Sequence, residues 1–128
     1  MFRKFILALL LTAGLFSVAE AAVQNLSADD ARKLLQSRSD IYLLDVRTAG
    51  EYFQVRLEGA RLIPIDQLQR RINEVPKAPV LVYCAVGSRS SAVADYLLRL
   101  GYPEVYNLYG GIWAWQLRGY PILKGPGG

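Results

Sequence analysis

Short apolar runs alternate with helix-patterned segments along most of the chain, and this alternation constrains the fold more than any other feature of the sequence. Four apolar runs have the length of buried strands: residues 41–46, 60–65, 80–84 and 104–108. When helices connect successive strands, the strands pair in parallel, because each helix returns the chain to the same end of the sheet. The sequence therefore predicts one α/β domain built on a mostly parallel sheet.

Five segments are predicted as helices from capping residues and helical spacing. The clearest follows Ser27, whose hydroxyl can accept a backbone N–H, and Asp29 and Asp30 lie in its first turn, where negative charge is favourable. Another is predicted because Leu68 and Ile72 are four residues apart. The predicted helices are residues 28–37, 48–54, 66–75, 90–100 and 110–119, and the tail 124–128 is predicted to be loose.

The composition excludes several classes of function. The chain has 128 residues, one cysteine and no histidine, which excludes Ser-His and Cys-His catalytic pairs, an intrachain disulfide and a Cys/His zinc site. We therefore predict neither a metal nor a cofactor. The net charge is +4, but the Lys and Arg residues are scattered and form no basic stripe, so no nucleic-acid partner is predicted.

The N-terminus has the pattern of an export signal. Arg3 and Lys4 precede a mostly apolar run over residues 5–18, and the small residues Ala19 and Ala21 stand where a signal peptidase reads. We expect a cleavable signal over residues 1–21, a single mature domain over residues 22–128, a periplasmic or secreted location and no stable membrane insertion after cleavage. The apolar run is shorter than the ~20 residues of a membrane span, yet an uncleaved N-terminal membrane anchor stays open as the alternative.

The single cysteine, Cys84, ends the apolar run at residues 80–84 and precedes a short loop of small residues and a predicted helix. Ligands bind at this edge of parallel sheets, where a strand leads into a helix. Inward-facing backbone amides and a helix N-terminus both favour a thiolate over a thiol, so no general base is needed. The predicted anion cradle consists of Ala85, Val86, Gly87, Ser88 and Arg89, with the Arg89 guanidinium as the charge partner.

Such a cradle also suits a second, anionic sulfur bound to Cys84. The sequence therefore predicts a two-step transfer, in which Cys84 takes a sulfur from an anionic donor such as thiosulfate and passes it to an acceptor. This role requires a sulfur that is ionised near neutral pH and that solvent can reach. The alternative is a buried, inert cysteine at a strand end, which is a common use of this residue type.

Four segments resemble motifs of the single-domain rhodaneses, the thiosulfate sulfurtransferase family. They occur in the family's order between about residues 25 and 122. The segments are "LLDVRTAGEY", "GARLIPI", "CAVGSRS" and "VYNLYGGIWAW". The third is similar to the family's active-site loop, Cys-x-x-Gly-x-Arg-Ser.

The resemblance implies a rhodanese-like fold, with a five-stranded mostly parallel sheet and helices on both faces. It implies that Cys84 carries a persulfide between thiosulfate and an acceptor, which is cyanide or a thiol. Because the chain has no second cysteine, a thiol acceptor must come from outside, for example on a thioredoxin-like protein. Asp45 and Arg47 match the family's "DVR" segment and are expected near the site, although ion pairing in support of the fold is the preferred role for them and for Glu51.

One position departs from the family pattern. Arg56 stands where the family usually has a histidine, and one expectation is that it adds positive potential for anionic donors. Gly110 and Gly111 are interpreted as turn residues, and the two tryptophans that follow them are interpreted as packing residues.

Two other functions stay open on this fold. A non-catalytic binding module would use the same scaffold to dock a partner. A phosphatase or arsenate reductase would need a wider loop, with five residues between the cysteine and the arginine in the related phosphatases. Here four residues separate Cys84 from Arg89, which favours a single sulfur atom as the ligand.

Overall fold

The computed structural model describes Gly14 and residues 21–126, so most of the predicted signal at residues 1–21 lies outside the described part. Five strands form one sheet in the order β1-β5-β4-β2-β3, and every pair of neighbours is parallel. The strands are β1 Gln24–Leu26, β2 Tyr42–Asp45, β3 Arg61–Leu62, β4 Val80–Tyr83 and β5 Val105–Leu108. The predicted α/β class and parallel sheet are confirmed.

Within residues 21–126, four α-helices connect and cover the strands: α1 Ala28–Ser37, α2 Ala49–Gln54, α3 Ser88–Arg99 and α4 Gly111–Leu117. The cap predicted for α1 is present, because the Ser27 hydroxyl accepts the Asp30 N–H. The start of α2 is held by a capping box between Thr48 and Glu51. None of the helices that the structure describes is long and apolar enough to cross a bilayer.

The prediction of a helix over residues 66–75 is wrong. Hydrogen-bonded turns fill most of this segment, and only a short 3-10 helix, Ile72–Glu74, is regular. A helix of this length is marginal unless a whole face packs against the protein. Here Leu68 and Val75 are the buried residues of the segment, and Pro64 accepts a turn-type bond from the Gln67 N–H instead of starting a helix.

The sheet buries both of its faces. Leu44, Val80 and Val82 point to one face, which α3 covers with Val93 and Leu97. The other face packs against α1 and α4, and the buried residues there include Leu43, Leu81, Tyr83, Ala31, Ile112 and Trp115. Because β4 lies in the middle of the sheet with every residue buried, the residue after it stands at the centre of the carboxyl edge. That residue is Cys84.

Hydrogen bonds hold the C-terminal segment as far as Gly125, so the expectation of a loose end at 124–128 is wrong for the start of that tail. Leu123 and Arg56 exchange backbone hydrogen bonds of 2.8 and 3.0 Å in an antiparallel bridge. The Gly125 N–H donates to the Phe53 carbonyl at 2.8 Å. The tail is therefore held against the end of α2 by backbone pairing that the sequence pattern does not reveal.

Candidate active site

The loop from β4 to α3 is a tight turn that Gly87 makes possible. Gly87 is the N-cap of α3 and has φ 108°, a conformation that favours glycine. Its carbonyl accepts the Ser91 N–H at 3.0 Å, which is the first bond of the helix. The helix begins at Ser88, two residues earlier than predicted, so Arg89 belongs to its first turn instead of the loop.

This early start brings the N-terminus of α3 onto the sulfur of Cys84. The Gly87 N–H donates to Sγ at 3.1 Å and the Ser90 N–H donates at 3.3 Å. The predicted cradle of amides over residues 85–88 is thus only partly what the structure shows. Among the described residues, the amides that interact with the sulfur are those of Val86, Gly87 and Ser90.

These contacts set the ionisation of the thiol. Burial raises the pKa of Cys84, since a charged sulfur loses contact with water. The Ser90 hydroxyl and the amides of Ser90, Gly87 and Val86 stabilise the thiolate and lower the pKa by more. The pKa of Cys84 therefore lies below its ordinary value.

Ser90 is a site residue that the sequence reasoning missed, although it is the last letter of the quoted motif. Its hydroxyl lies 3.3 Å from Sγ and donates to the Gly87 carbonyl at 3.2 Å, and the side chain is fully buried. As a thiol, Cys84 donates to this hydroxyl. As a thiolate, Cys84 can accept from it once the hydroxyl turns away from Gly87. The Ser90 hydroxyl can therefore accept a hydrogen bond from the thiol and donate one to the thiolate.

The cysteine is fully enclosed in this arrangement. Cys84 has 0% of its surface exposed and belongs to the core cluster on the α3 side of the sheet. The requirement of a sulfur that solvent can reach is therefore not met here. The neighbouring Val86 is 61% exposed, so solvent reaches the loop next to the sulfur but not the sulfur itself.

Arg89 is already paired. Its guanidinium makes two hydrogen bonds to the Glu51 carboxylate, at 2.8 and 2.9 Å, and both side chains are about one-third exposed. The hydrogen bond from Arg89 lowers the pKa of Glu51 to about 2, against the opposing effect of burial, and Thr48 adds to the lowering. The cation expected to bind a donor anion thus has a carboxylate in the anion's place.

Asp45 and Arg47 form a buried ion pair of 2.6 Å. Burial lowers the pKa of Arg47, but the hydrogen bond and charge of Asp45 raise it by more. Arg47 also donates to the Val55 carbonyl at 2.7 Å, and the Arg47 N–H donates to Asp45 at 2.9 Å. The pair therefore fixes the chain between β2 and the end of α2, which carries Glu51.

The start of α4 supports the loop from the other side. The Ile112 N–H donates to the Cys84 carbonyl at 3.0 Å, and the Trp113 N–H donates to the Ala85 carbonyl at 3.1 Å. Gly111 directly precedes Ile112 and has φ 60°, and a Cβ there would stand 2.4 Å from the Ala85 oxygen. Gly111 is thus more than a turn residue, because only glycine allows this close approach.

Arg56 does not line the sulfur cradle. Its side chain is buried, and it donates to the Gly125 carbonyl at 2.7 Å and to the Tyr52 carbonyl at 3.3 Å. The structure thus places the arginine between α2 and the C-terminal segment. The expectation that Arg56 adds positive potential for an anionic donor stays a prediction.

Comparisons with known proteins identify a family that matches most of this chain. The family model of the rhodanese-like domain matches residues 27–118, from the cap of α1 to the end of α4. The chain belongs to the rhodanese family. This rhodanese is 35% identical over 106 residues to a protein of Allochromatium vinosum named sulfurtransferase, and the match covers 82% of this chain and 99% of that one.

Two further relatives of this rhodanese extend the comparison. A thiosulfate sulfurtransferase, GlpE, of Coxiella burnetii is 36% identical over 88 residues, which is 68% of this chain and 81% of that one. The crystal structure of a rhodanese-related protein from Thermoplasma volcanium superposes with a TM-score of 0.71 at 29% identity, covering 78% of this chain and 97% of the other. The five-stranded rhodanese-like fold with helices on both faces is therefore confirmed.

Proposed function

We propose that this rhodanese is a sulfurtransferase that moves a sulfane sulfur from thiosulfate, or a similar donor, through a persulfide on Cys84 to cyanide or a thiol. The observation that carries the proposal is the sulfur cradle: Sγ accepts the Gly87 and Ser90 N–H groups beside the Ser90 hydroxyl at the start of α3. The sulfurtransferase names of the relatives from Allochromatium and Coxiella support the same reaction class.

The reaction has two displacements at sulfur. In the first, the Cys84 thiolate attacks the outer sulfur of thiosulfate, an S–S bond forms to Cys84, and the donor's S–S bond breaks so that sulfite leaves with the electron pair. In the second, cyanide attacks the outer persulfide sulfur, and thiocyanate leaves as the Cys84 thiolate returns. A thiolate acceptor reacts in the same way and becomes a persulfide. Neither step needs a general base, because Cys84 begins and ends as an anion.

The cradle fits this cycle because both resting states carry negative charge on sulfur. The amides of Val86, Gly87 and Ser90 and the N-terminus of α3 stabilise the thiolate. The same groups can stabilise negative charge on the outer sulfur of a persulfide, and Ser90 can turn its hydroxyl towards either anion. The loop of four residues between Cys84 and Arg89 suits one added sulfur atom. This length makes a phosphatase or arsenate reductase a less favoured function than sulfur transfer.

Donor access requires the loop to move, because Cys84 is fully buried. We propose that this motion occurs at residues 86–88, because Val86 and Ser88 are exposed while the Ala85 carbonyl is bonded to α4. The same burial is the observation that favours the rival function, a non-catalytic module that docks a partner. A docking module has no use for an ionised sulfur, so the reactivity of Cys84 separates the two.

Intact-mass spectrometry after thiosulfate treatment tests the proposal. The wild-type protein is expected to gain the mass of one sulfur atom and to lose it again when cyanide is added, with thiocyanate formed in equal amount. Cys84→Ser is the control that gains nothing. A wild-type protein that gains no sulfur while its thermal unfolding stays cooperative would contradict the enzyme and favour the docking module.

We further propose that the protein is exported and that its signal is removed after Ala21. The charged start, the apolar run and the small residues before position 22 support this. N-terminal sequencing of the protein made in a bacterium with a periplasm is expected to begin at Ala22. Retention of Met1 on a membrane-bound product would show the N-terminal anchor instead.

A further inference from the structure

In this structure the Arg89 guanidinium is paired with the Glu51 carboxylate of the same chain. The two guanidinium nitrogens of Arg89 each meet one oxygen of Glu51, at 2.8 and 2.9 Å. This two-point geometry is the one by which arginine binds a carboxylate or another oxyanion. The sulfonate end of thiosulfate also has negatively charged oxygens that can accept two N–H groups at once. The donor and Glu51 would therefore bind the same face of Arg89.

Glu51 does not depend on Arg89 for its position. The Thr48 N–H donates to its carboxylate at 3.2 Å and the Thr48 hydroxyl donates at 3.1 Å, while the Glu51 N–H donates back to Thr48 at 3.2 Å. This capping box fixes the carboxylate at the start of α2. Arg89 can therefore leave Glu51 without disturbing the helix that carries it.

We propose that Glu51 is a specificity-determining residue that competes with the anionic donor for Arg89, so that donor binding exchanges one oxyanion for another. The inference rests on the proposed function and names how the same site selects its donor. The pair is about one-third exposed on both sides, which leaves it open to exchange. The Asp45–Arg47 pair is fully buried, so of the two arginines the partly exposed Arg89 is the better placed to meet a donor.

The test is the replacement Glu51→Gln, which keeps the shape and the oxygen that Thr48 contacts but removes the negative charge. A partly exposed, hydrogen-bonded ion pair contributes a modest free energy, which the donor must overcome when it displaces Glu51 from Arg89. Without the Glu51 charge, the KM for thiosulfate is expected to fall by about threefold to tenfold. The kcat with cyanide is expected to change less, since Glu51 has no contact with Cys84. A KM that rises or stays the same overturns the inference and assigns Glu51 to holding Arg89 in place.

Two controls separate this effect from a general change of charge. Asp40→Asn also removes one carboxylate, but Asp40 pairs with Arg38 at the opposite edge of the sheet, and it is expected to leave the KM unchanged. In the background of Arg89→Ala, the Glu51→Gln exchange is expected to have no further effect, because the competition requires the guanidinium. A KM decrease that persists without Arg89 contradicts the proposal.

Failure of the function and failure of the inference are distinguishable. Calorimetry can measure thiosulfate binding to Cys84→Ser and to the double variant that also carries Glu51→Gln. Neither variant can transfer sulfur, so a difference between their dissociation constants reports the competition alone. Tighter binding on removal of the Glu51 charge supports the inference even if wild-type protein forms no persulfide. Persulfide formation with an unchanged dissociation constant upholds the function and overturns the inference. If Glu51→Gln does not fold, Glu51→Asp, which draws the carboxylate back from Arg89, is expected to shift KM in the same direction.

Discussion

Removal of the Ser90 hydroxyl is expected to raise the pKa of Cys84 while leaving the fold intact. In the substitution Ser90→Ala, the backbone N–H still donates to Sγ, and only the hydroxyl at 3.3 Å is lost. A hydrogen bond to a charged group contributes about 1.5–3 kcal/mol, and one pKa unit corresponds to about 1.4 kcal/mol. Because the hydroxyl gives up its bond to the Gly87 carbonyl when it donates to the thiolate, the lower end of this range applies, and we expect the pKa to rise by about one unit.

The rate of alkylation against pH measures this shift without interference, because Cys84 is the only cysteine. The matched control is Ser91→Ala, which removes the next serine of α3, an exposed residue, and is expected to leave the pKa unchanged. At a pH below both pKa values, the thiolate fraction and the kcat/KM for thiosulfate fall together in Ser90→Ala. A pKa that stays the same or decreases in Ser90→Ala would refute the role given to this hydroxyl.

Three further predictions concern the groups around the cradle. Gly111→Ala is expected to destabilise the fold by about 1–3 kcal/mol and to reduce sulfur transfer, since its Cβ would meet the Ala85 oxygen at 2.4 Å; a denaturation midpoint equal to wild type contradicts this. Asp45→Asn removes the counter-charge of the buried Arg47 and is expected to lower the free energy of unfolding in urea by about 3–5 kcal/mol; a change close to zero would show that the pair is dispensable. The pKa of Glu51 is lowered to about 2, so its stabilising contribution is complete above about pH 4.5 and is lost as the pH falls towards 2; acid unfolding of Glu51→Gln should lack this dependence.

The sequence predicts the centre of this fold better than its edges. The run at residues 80–84 is apolar throughout because β4 is buried on both faces, so its pattern alone indicates a strand and the loop after it. The edge strand β1 leaves no such pattern, since Gln24 and Asn25 are exposed and owe their conformation to pairing with β5. The short sequence of β1 cannot show that pairing.

The site divides in the same way. Cys84 and the amides that follow it are adjacent in sequence, so local reasoning finds them. The pairing of Arg89 with Glu51 joins residues 38 positions apart, and no local pattern indicates it. Ser90 reaches the sulfur because α3 begins at Ser88, a difference of two residues from the predicted start that decides which amide and which hydroxyl face Sγ.

The thiol titration of wild-type Cys84, folded and unfolded in urea, tests the central claim most directly. The claim is that the start of α3 stabilises the sulfur as an anion by more than burial destabilises it. The account predicts a lower pKa in the folded protein than in the unfolded chain, measured by the pH dependence of alkylation at its one cysteine. A folded-state pKa equal to or above the unfolded value would contradict the account and would leave Cys84 as a buried, inert residue.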